Sequence, residues 1–260
     1  MKPSEIGLVA VVSAFAISAC ESPVSPGGSP TESVVAPSSS ALALSSLTAA
    51  RLKEDIPFKK ILCFGDSLTF GLTLKAGSSS GGRSVLTFAE GYVPKLARLL
   101  TEKHGEGFEL FNAGIGGETT ELALDRIDTE IRRYDPDLIL LLEGILEVNN
   151  ETPRFGLAES NLAEMMRIAQ LRQVAVIAGT YPMPNPEGFR TRGAGNTVKL
   201  NEIIREEALA KGVPIADHEE AFPRDFSGLG ADGLHPNEIG YRIMAQTWLD
   251  TIEAMVASGT

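Results

Sequence analysis

Histidine, cysteine and positive charge are what this sequence of 260 residues has least of, and each shortage narrows the chemistry open to it. Its three histidines, His104, His218 and His235, are dispersed and no cysteine pair is free to join them, so no metal site is expected. Of the two cysteines, Cys20 lies in an apolar leader and Cys63 in an apolar run. No disulfide framework can be drawn from them, and Cys63 reads as a small buried hydrophobe. Lys and Arg total 23 against 34 Asp and Glu, a net charge of −11. A chain so charged repels phosphate backbones and anionic headgroups, and nucleic acid is not an expected partner. The glycine-rich stretches end in no GK[ST] and lack the dinucleotide spacing, so no nucleotide cofactor is expected either.

Residues 6–19 form an uncharged apolar run behind Lys2, too short for the ~20 residues that span a bilayer and shaped like a signal-peptide core. The run ends in Ile17, Ser18, Ala19 and Cys20. That ending resembles the lipobox of bacterial lipoproteins, in which the cysteine thiol is lipidated and the leader is cut ahead of it. The resemblance implies an exported envelope lipoprotein held to the membrane through Cys20. Glu21 favours outer-membrane sorting, facing the periplasm, where the source has two membranes. An ordinary signal peptide that happens to hold a cysteine is the alternative. From 21 to 50, nine Ser, four Pro and two Gly fill half the positions, with no Lys, Arg or aromatic residue. Such a stretch buries too little to offset the entropy of ordering and reads as a flexible linker. The expected organisation is therefore a leader at 1–19, a lipidated Cys and linker at 20–50, and one folded domain at 51–260.

Within that domain, short apolar runs at 61–64, 108–111, 138–142, 174–178 and 213–216 alternate with segments of helical period. Val93, Leu96, Ala97 and Leu100 share one helix face, as do Ala123, Ile127, Ile131 and Tyr134. Leu162, Met165 and Met166 mark a third helix, and Leu200, Ile203 and Ile204 a fourth. Pro236 is expected to open a last helix, at the position where proline is tolerated. The unbroken run at 138–142 suits a strand covered on both faces. Five strands with intervening helices predict an α/β domain, a five-stranded parallel sheet in a three-layer α/β/α sandwich.

Ligands of such sheets bind at the carboxyl ends of the strands, where four polar segments gather: GDSLTFG at 65–71, NAGIGG at 112–117, EGILE at 143–147 and DGLHPNEIGY at 232–241. Ser67 follows the first strand in a tight turn, but a serine hydroxyl is a weak nucleophile until a base takes its proton. His104 sits at a predicted helix end and suits a C-terminal cap. His218 could line a pocket but has no orienting motif. His235 lies three residues after Asp232 and just before Pro236, so the carboxylate can hold one ring nitrogen while the other faces the site. Taken alone, that segment could equally be a turn and a helix cap.

The three segments GDSLTFG, NAGIGG and DGLHPNEIGY resemble the first, second and fifth blocks of the GDSL/SGNH hydrolases, in order, over about 58–256. The resemblance implies a flavodoxin-like fold and a serine hydrolase that cleaves carboxylic acyl esters of lipids, aryl alcohols or acetylated glycans without a cofactor. It implies Ser67, Asp232 and His235 as the catalytic triad. It also implies the backbone N–H groups of Ser67 and Gly117 as oxyanion donors, with Gly114 and Gly116 close enough to leave that register open. The third block departs: its Gly, any residue, Asn, Asp pattern reads here Gly144, Ile145, Leu146, Glu147, and leucine has no amide to donate. Asn149 and Asn150 follow, and on a helix they would share Leu146's face and could supply the missing donor. A catalytically impaired ester- or glycan-binding lipoprotein is the alternative. Residues 72–86 read as a lid or a tolerated insertion, and 181–196 as a wall of the acyl pocket or a plain surface loop.

Overall fold

A computed structural model describes residues 55–73, 85–86 and 91–259. The leader, Cys20, the linker and the interior of the 72–86 segment lie outside the described residues. In chain order the elements are β1 (Lys60–Gly65), α1 (Ser67–Phe70), β2 (Leu72–Thr73), β3 (Val85–Leu86), α2 (Tyr92–His104), β4 (Glu109–Gly114) and α3 (Thr120–Tyr134). They continue with β5 (Leu138–Leu142), α4 (Ile145–Val148), α5 (Phe155–Leu171), β6 (Ala175–Gly179), α6 (Asn196–Lys211), β7 (Ile215–Ala216), α7 (His218–Ala221) and α8 (Glu238–Ser258).

Five of the strands form one all-parallel sheet in the order β4-β1-β5-β6-β7. The small antiparallel ladder of β2 with β3 stands apart. Every residue of β5 is buried, as are Ile61 to Gly65 of β1, so the centre of the sheet is covered on both faces. α2 packs on α8, while α3, α5 and α6 pack in series, giving the two helical layers. The expected stripes face inward: Val93, Leu96 and Leu100 on α2, and Ala123, Ile127 and Ile131 on α3, are buried, whereas Ala97 and Tyr134 lie at the margin. The expected α/β architecture and flavodoxin-like strand order thus hold.

Besides shifts of a residue at the ends of β1 and β6, three boundaries differ from expectation for a local reason. β4 runs on through Asn112, Ala113 and Gly114, residues of low strand propensity that are held by pairing with Cys63, Phe64 and Gly65 of β1. Val213 belongs to the end of α6 rather than to a strand. Gly212 takes φ 63° there, and the Val213 N–H donates to the Ala208 carbonyl, closing the helix in the Schellman manner. Pro236 does not open α8. Asn237 caps that helix by accepting from the N–H groups of Ile239 and Gly240, and Pro236 bridges instead to Leu229.

Candidate active site

Strand order decides where the site falls. The chain leaves β1 for β4 on one side and then returns to β5 on the other, so a crevice opens at the carboxyl ends of these three strands. Asp66 caps the single turn of α1 by accepting from the Leu68 N–H at 2.8 Å, which fixes Ser67 at the head of that turn. Gly114 lets α1 lie directly on β4, since a Cβ there would sit 2.1 Å from the Phe70 nitrogen. The chain then turns at Gly117, whose φ of 77° suits glycine. Among the described residues, the backbone N–H groups of Ser67 and Gly117 meet no acceptor in the protein. They have the chemistry of oxyanion donors.

From the opposite side, the turn before α8 brings in the base. His235 Nε2 lies 2.9 Å from Ser67 Oγ, and His235 Nδ1 lies 2.5 Å from Asp232 Oδ2. A carboxylate can only accept, so Nδ1 carries the hydrogen and Nε2 is left to accept from the serine hydroxyl. The other oxygen, Asp232 Oδ1, accepts from the N–H groups of Leu234 and His235 at 3.1 and 3.0 Å. Burial works against the Asp232 charge, but the His235 ring and these backbone donors outweigh it and hold the carboxyl below its usual range. All three side chains are nearly closed to solvent, Ser67 at 7%, Asp232 at 0% and His235 at 2% exposure.

Beneath Ser67 lies a group of acids that sequence reasoning missed. Tyr181, fully buried just after β6, donates its hydroxyl to Asp66 Oδ2 at 2.6 Å. Burial pushes the Asp66 carboxyl up to about 6, and the hydrogen bonds from Tyr181 and Leu68 only partly offset it. Glu118 is held by Arg126 through both its Nε and a terminal nitrogen, and the same guanidinium stacks over the Phe64 ring, 3.9 Å from its centroid. Glu143, buried next to Asp66 and Glu118, is pushed well above the usual carboxylate range by burial and by those two charges. No pattern in the sequence announces this group, because its members lie far apart in the chain.

The remaining candidates take other places, with Leu146, Asn149 and Gly116 on the lining of the cavity that holds Ser67 and His235. Leu146, at 40% exposure, lines the same cavity as Ser67, Gly117 and His235. Asn149 and Asn150 do not share a helix face with it, since α4 ends at Val148 and Asn149 is its cap. Asn149 donates to the Arg190 carbonyl at 2.6 Å and accepts from the Gly193 N–H at 3.2 Å. Asn150 donates to the carbonyls of Leu146 and Glu147. Both carboxamides are thus engaged with backbone. Glu147 turns away to accept from the Thr120 N–H at 2.9 Å. Gly114 ends β4 against α1, and Gly116 lines the cavity beside Gly117. His104, in the last turn of α2, also pairs with Glu253 at 2.6 Å. His218 lines no part of this cavity. It is a core residue, packed 4.8 Å from Trp248 ring to ring with neither nitrogen partnered, and burial lowers its pKa from 6.5 to about 3.

The cavity, of about 670 Å³, is bounded by Ser67, His235 and Gly117 on one side and by Phe189, Arg190 and Arg192 on the other. Residues 181–196 do therefore contribute a wall.

Fold and site together define a class: a flavodoxin-like α/β protein with a serine, histidine and aspartate relay at the carboxyl edge of its sheet. The chain matches the model of the GDSL-like Lipase/Acylhydrolase family over residues 63–243, and it belongs to that family. Over 129 residues, 47% of this chain, it is 32% identical to a multidomain esterase of Ruminococcus flavefaciens, of which it spans only 16%. Among solved structures it resembles the lipase/acylhydrolase from Enterococcus faecalis (TM-score 0.64, 24% identity, 75% of this chain and 96% of that one). It also resembles a carbohydrate acetylesterase from Sinorhizobium meliloti (TM-score 0.61, 17% identity, 78% of this chain and all of that one). At these identities the likeness to solved structures is one of fold.

Proposed function

We propose that the protein hydrolyses carboxylic acyl esters through an acyl-enzyme on Ser67. The observation that carries this reading is the contact of His235 with both Ser67 Oγ and Asp232, in the order proton transfer needs. His235 Nε2 takes the hydroxyl proton as Oγ attacks the ester carbonyl, and the imidazolium formed is stabilised by the ionised Asp232. The oxyanion is held by the N–H groups of Ser67 and Gly117. Nε2–H then protonates the departing alkoxide, and a water activated by the same nitrogen releases the acid. Among the described residues the third donor is absent from its expected place: Leu146 has none, Asn150 gives its amide to two carbonyls, and Asn149, which lines the cavity, gives one of its two N–H groups to the Arg190 carbonyl. Loss of one such donor costs about 100- to 1000-fold in turnover, so a slow esterase is expected. Family membership, and esterases among its relatives, support the ester; lysophospholipid, aryl ester and acetylated glycan fit the site chemistry equally.

The test is hydrolysis of p-nitrophenyl esters of increasing acyl length. Wild type turns over at least one and Ser67→Ala none; equal rates for the two would contradict the reading. On the sequence at 6–20 alone, we further read the chain as exported and held at a bacterial envelope by lipid on Cys20. Cys20→Ser should then move the protein from the membrane to the soluble fraction, and an unchanged distribution would contradict it.

A further inference from the structure

We infer that the ester this cavity accepts carries an anionic group, a carboxylate, sulfate or phosphate, which Arg192 binds with Arg190 beside it. The inference rests on the esterase reading and narrows its substrate.

In a chain of net charge −11, basic side chains readily find carboxylates: Arg167 pairs with Glu164, Arg172 with Asp128, and Arg205 with Asp217 and Glu219. Arg98 and Arg242, away from this cavity, have no such partner among the described residues, and the two arginines of the cavity wall are likewise poorly matched. Among the described residues, Arg192 is exposed and has no carboxylate within ion-pair distance. Arg190 reaches only Asp232, at 4.0 Å, through the oxygen that already serves His235.

The acids that share the cavity do not neutralise this pair. Glu118 is held by Arg126 and Asp66 is buried and hydrogen-bonded to Tyr181, while Asp232, outside the lining, is engaged by His235. Among the described residues, the ionic groups open to a ligand there are therefore cationic.

The segment bearing them is also fixed in place. The Arg190 N–H donates to the Asp232 carbonyl at 3.1 Å, and its own carbonyl accepts from Asn149. Thr191 is buried and donates to the Gly188 carbonyl at 2.7 Å, while the Gly193 N–H donates to Asn149 Oδ1. Arg192 thus projects from a stapled backbone, so pairing with an anion need order only its side chain and not the loop. Phe189, 63% exposed on the same rim, adds an apolar face beside the cations.

The test is equilibrium binding to Ser67→Ala protein, which leaves esters intact. Three ligands serve: neutral phenyl acetate, 3-acetoxybenzoate with its anion on the alcohol side, and monophenyl glutarate with its anion on the acyl side. One of the anionic esters should bind about tenfold more tightly than phenyl acetate, the scale of one charge-assisted contact. Which one does so tells which half of the substrate carries the charge. Adding Arg192→Gln should remove most of that preference, Arg192→Lys should keep part of it, and raising salt should weaken it. Equal binding of all three esters, or a preference that survives Arg192→Gln, would overturn the inference. Hydrolysis of the same esters by wild type is read alongside. Should none be cleaved, the esterase reading fails while the binding result still decides the anion.

Discussion

At the scale of single residues, Leu146 and Asp232 make opposite predictions. Asp232 keeps the His235 ring in one tautomer, so Asp232→Asn should lower kcat by about 10⁴ without unfolding the protein. Steady-state kinetics with a circular dichroism control checks this. Leu146→Asn returns a carboxamide to a residue that already lines the cavity with Ser67 and Gly117, and should raise kcat on p-nitrophenyl acetate about tenfold or more. An unchanged rate would mean that the hole is complete without it. The contact of Ser67, His235 and Asp232 was legible in the sequence through its resemblance to the GDSL/SGNH blocks, whose pieces sit in short contiguous segments: an Asp three residues before a His, and a Ser in a turn after a strand. Roles set by long-range packing were not. His218 followed a strand and looked available for a pocket, yet Trp248, thirty positions further on in the chain, closes it into the core. Asn149 and Asn150 had the right side chains at a plausible spacing, but the helix that would have aimed them ends one residue too soon.

At the scale of elements, the site depends on how the 185–193 loop is stapled between two others. Its contacts with the Asp232 turn are close: the Asn185 N–H donates to the Gly233 carbonyl, and a Cβ on Gly188 would lie 2.3 Å from the Asp232 carbonyl oxygen. Gly188→Ala must therefore displace the turn that carries the acid, and should cut kcat about 100-fold while costing less in stability than a core cavity would. Asn149→Ala severs the other staple, and should raise KM more than it lowers kcat, because it frees the wall rather than the triad. Comparable losses in both parameters would restore Asn149 as an oxyanion donor. Strands and helices with strong periodicity, β5 and α3 above all, were evident from sequence. The carboxyl end of β4 was not, since Asn112 to Gly114 become strand only through the β1 ladder.

For the molecule as a whole, the buried ionisable groups set how stability responds to pH. His218 has a folded pKa near 3 against 6.5 for the free group. Between those values the unfolded chain takes up a proton that the fold refuses, so this contribution falls as pH drops below 6.5. Asp66 and Glu143 have the opposite sign. Their raised folded values mean the fold keeps protons that the unfolded chain releases, so their contribution falls as pH rises, for Asp66 from 3.8 to about 6. Comparing wild type with His218→Phe isolates the histidine. Between about pH 7 and 4.5, wild type should lose about 2 to 3 kcal/mol relative to the variant in urea unfolding followed by the single tryptophan, Trp248. Parallel profiles would show the ring to be open to water in the fold. The central claim, that this family member uses Ser67 as an activated nucleophile, is tested most directly by intact-mass analysis after treatment with a fluorophosphonate. The account predicts one adduct on the wild-type protein, located at Ser67, and none on Ser67→Ala or His235→Ala; an unlabelled wild-type Ser67 would contradict it.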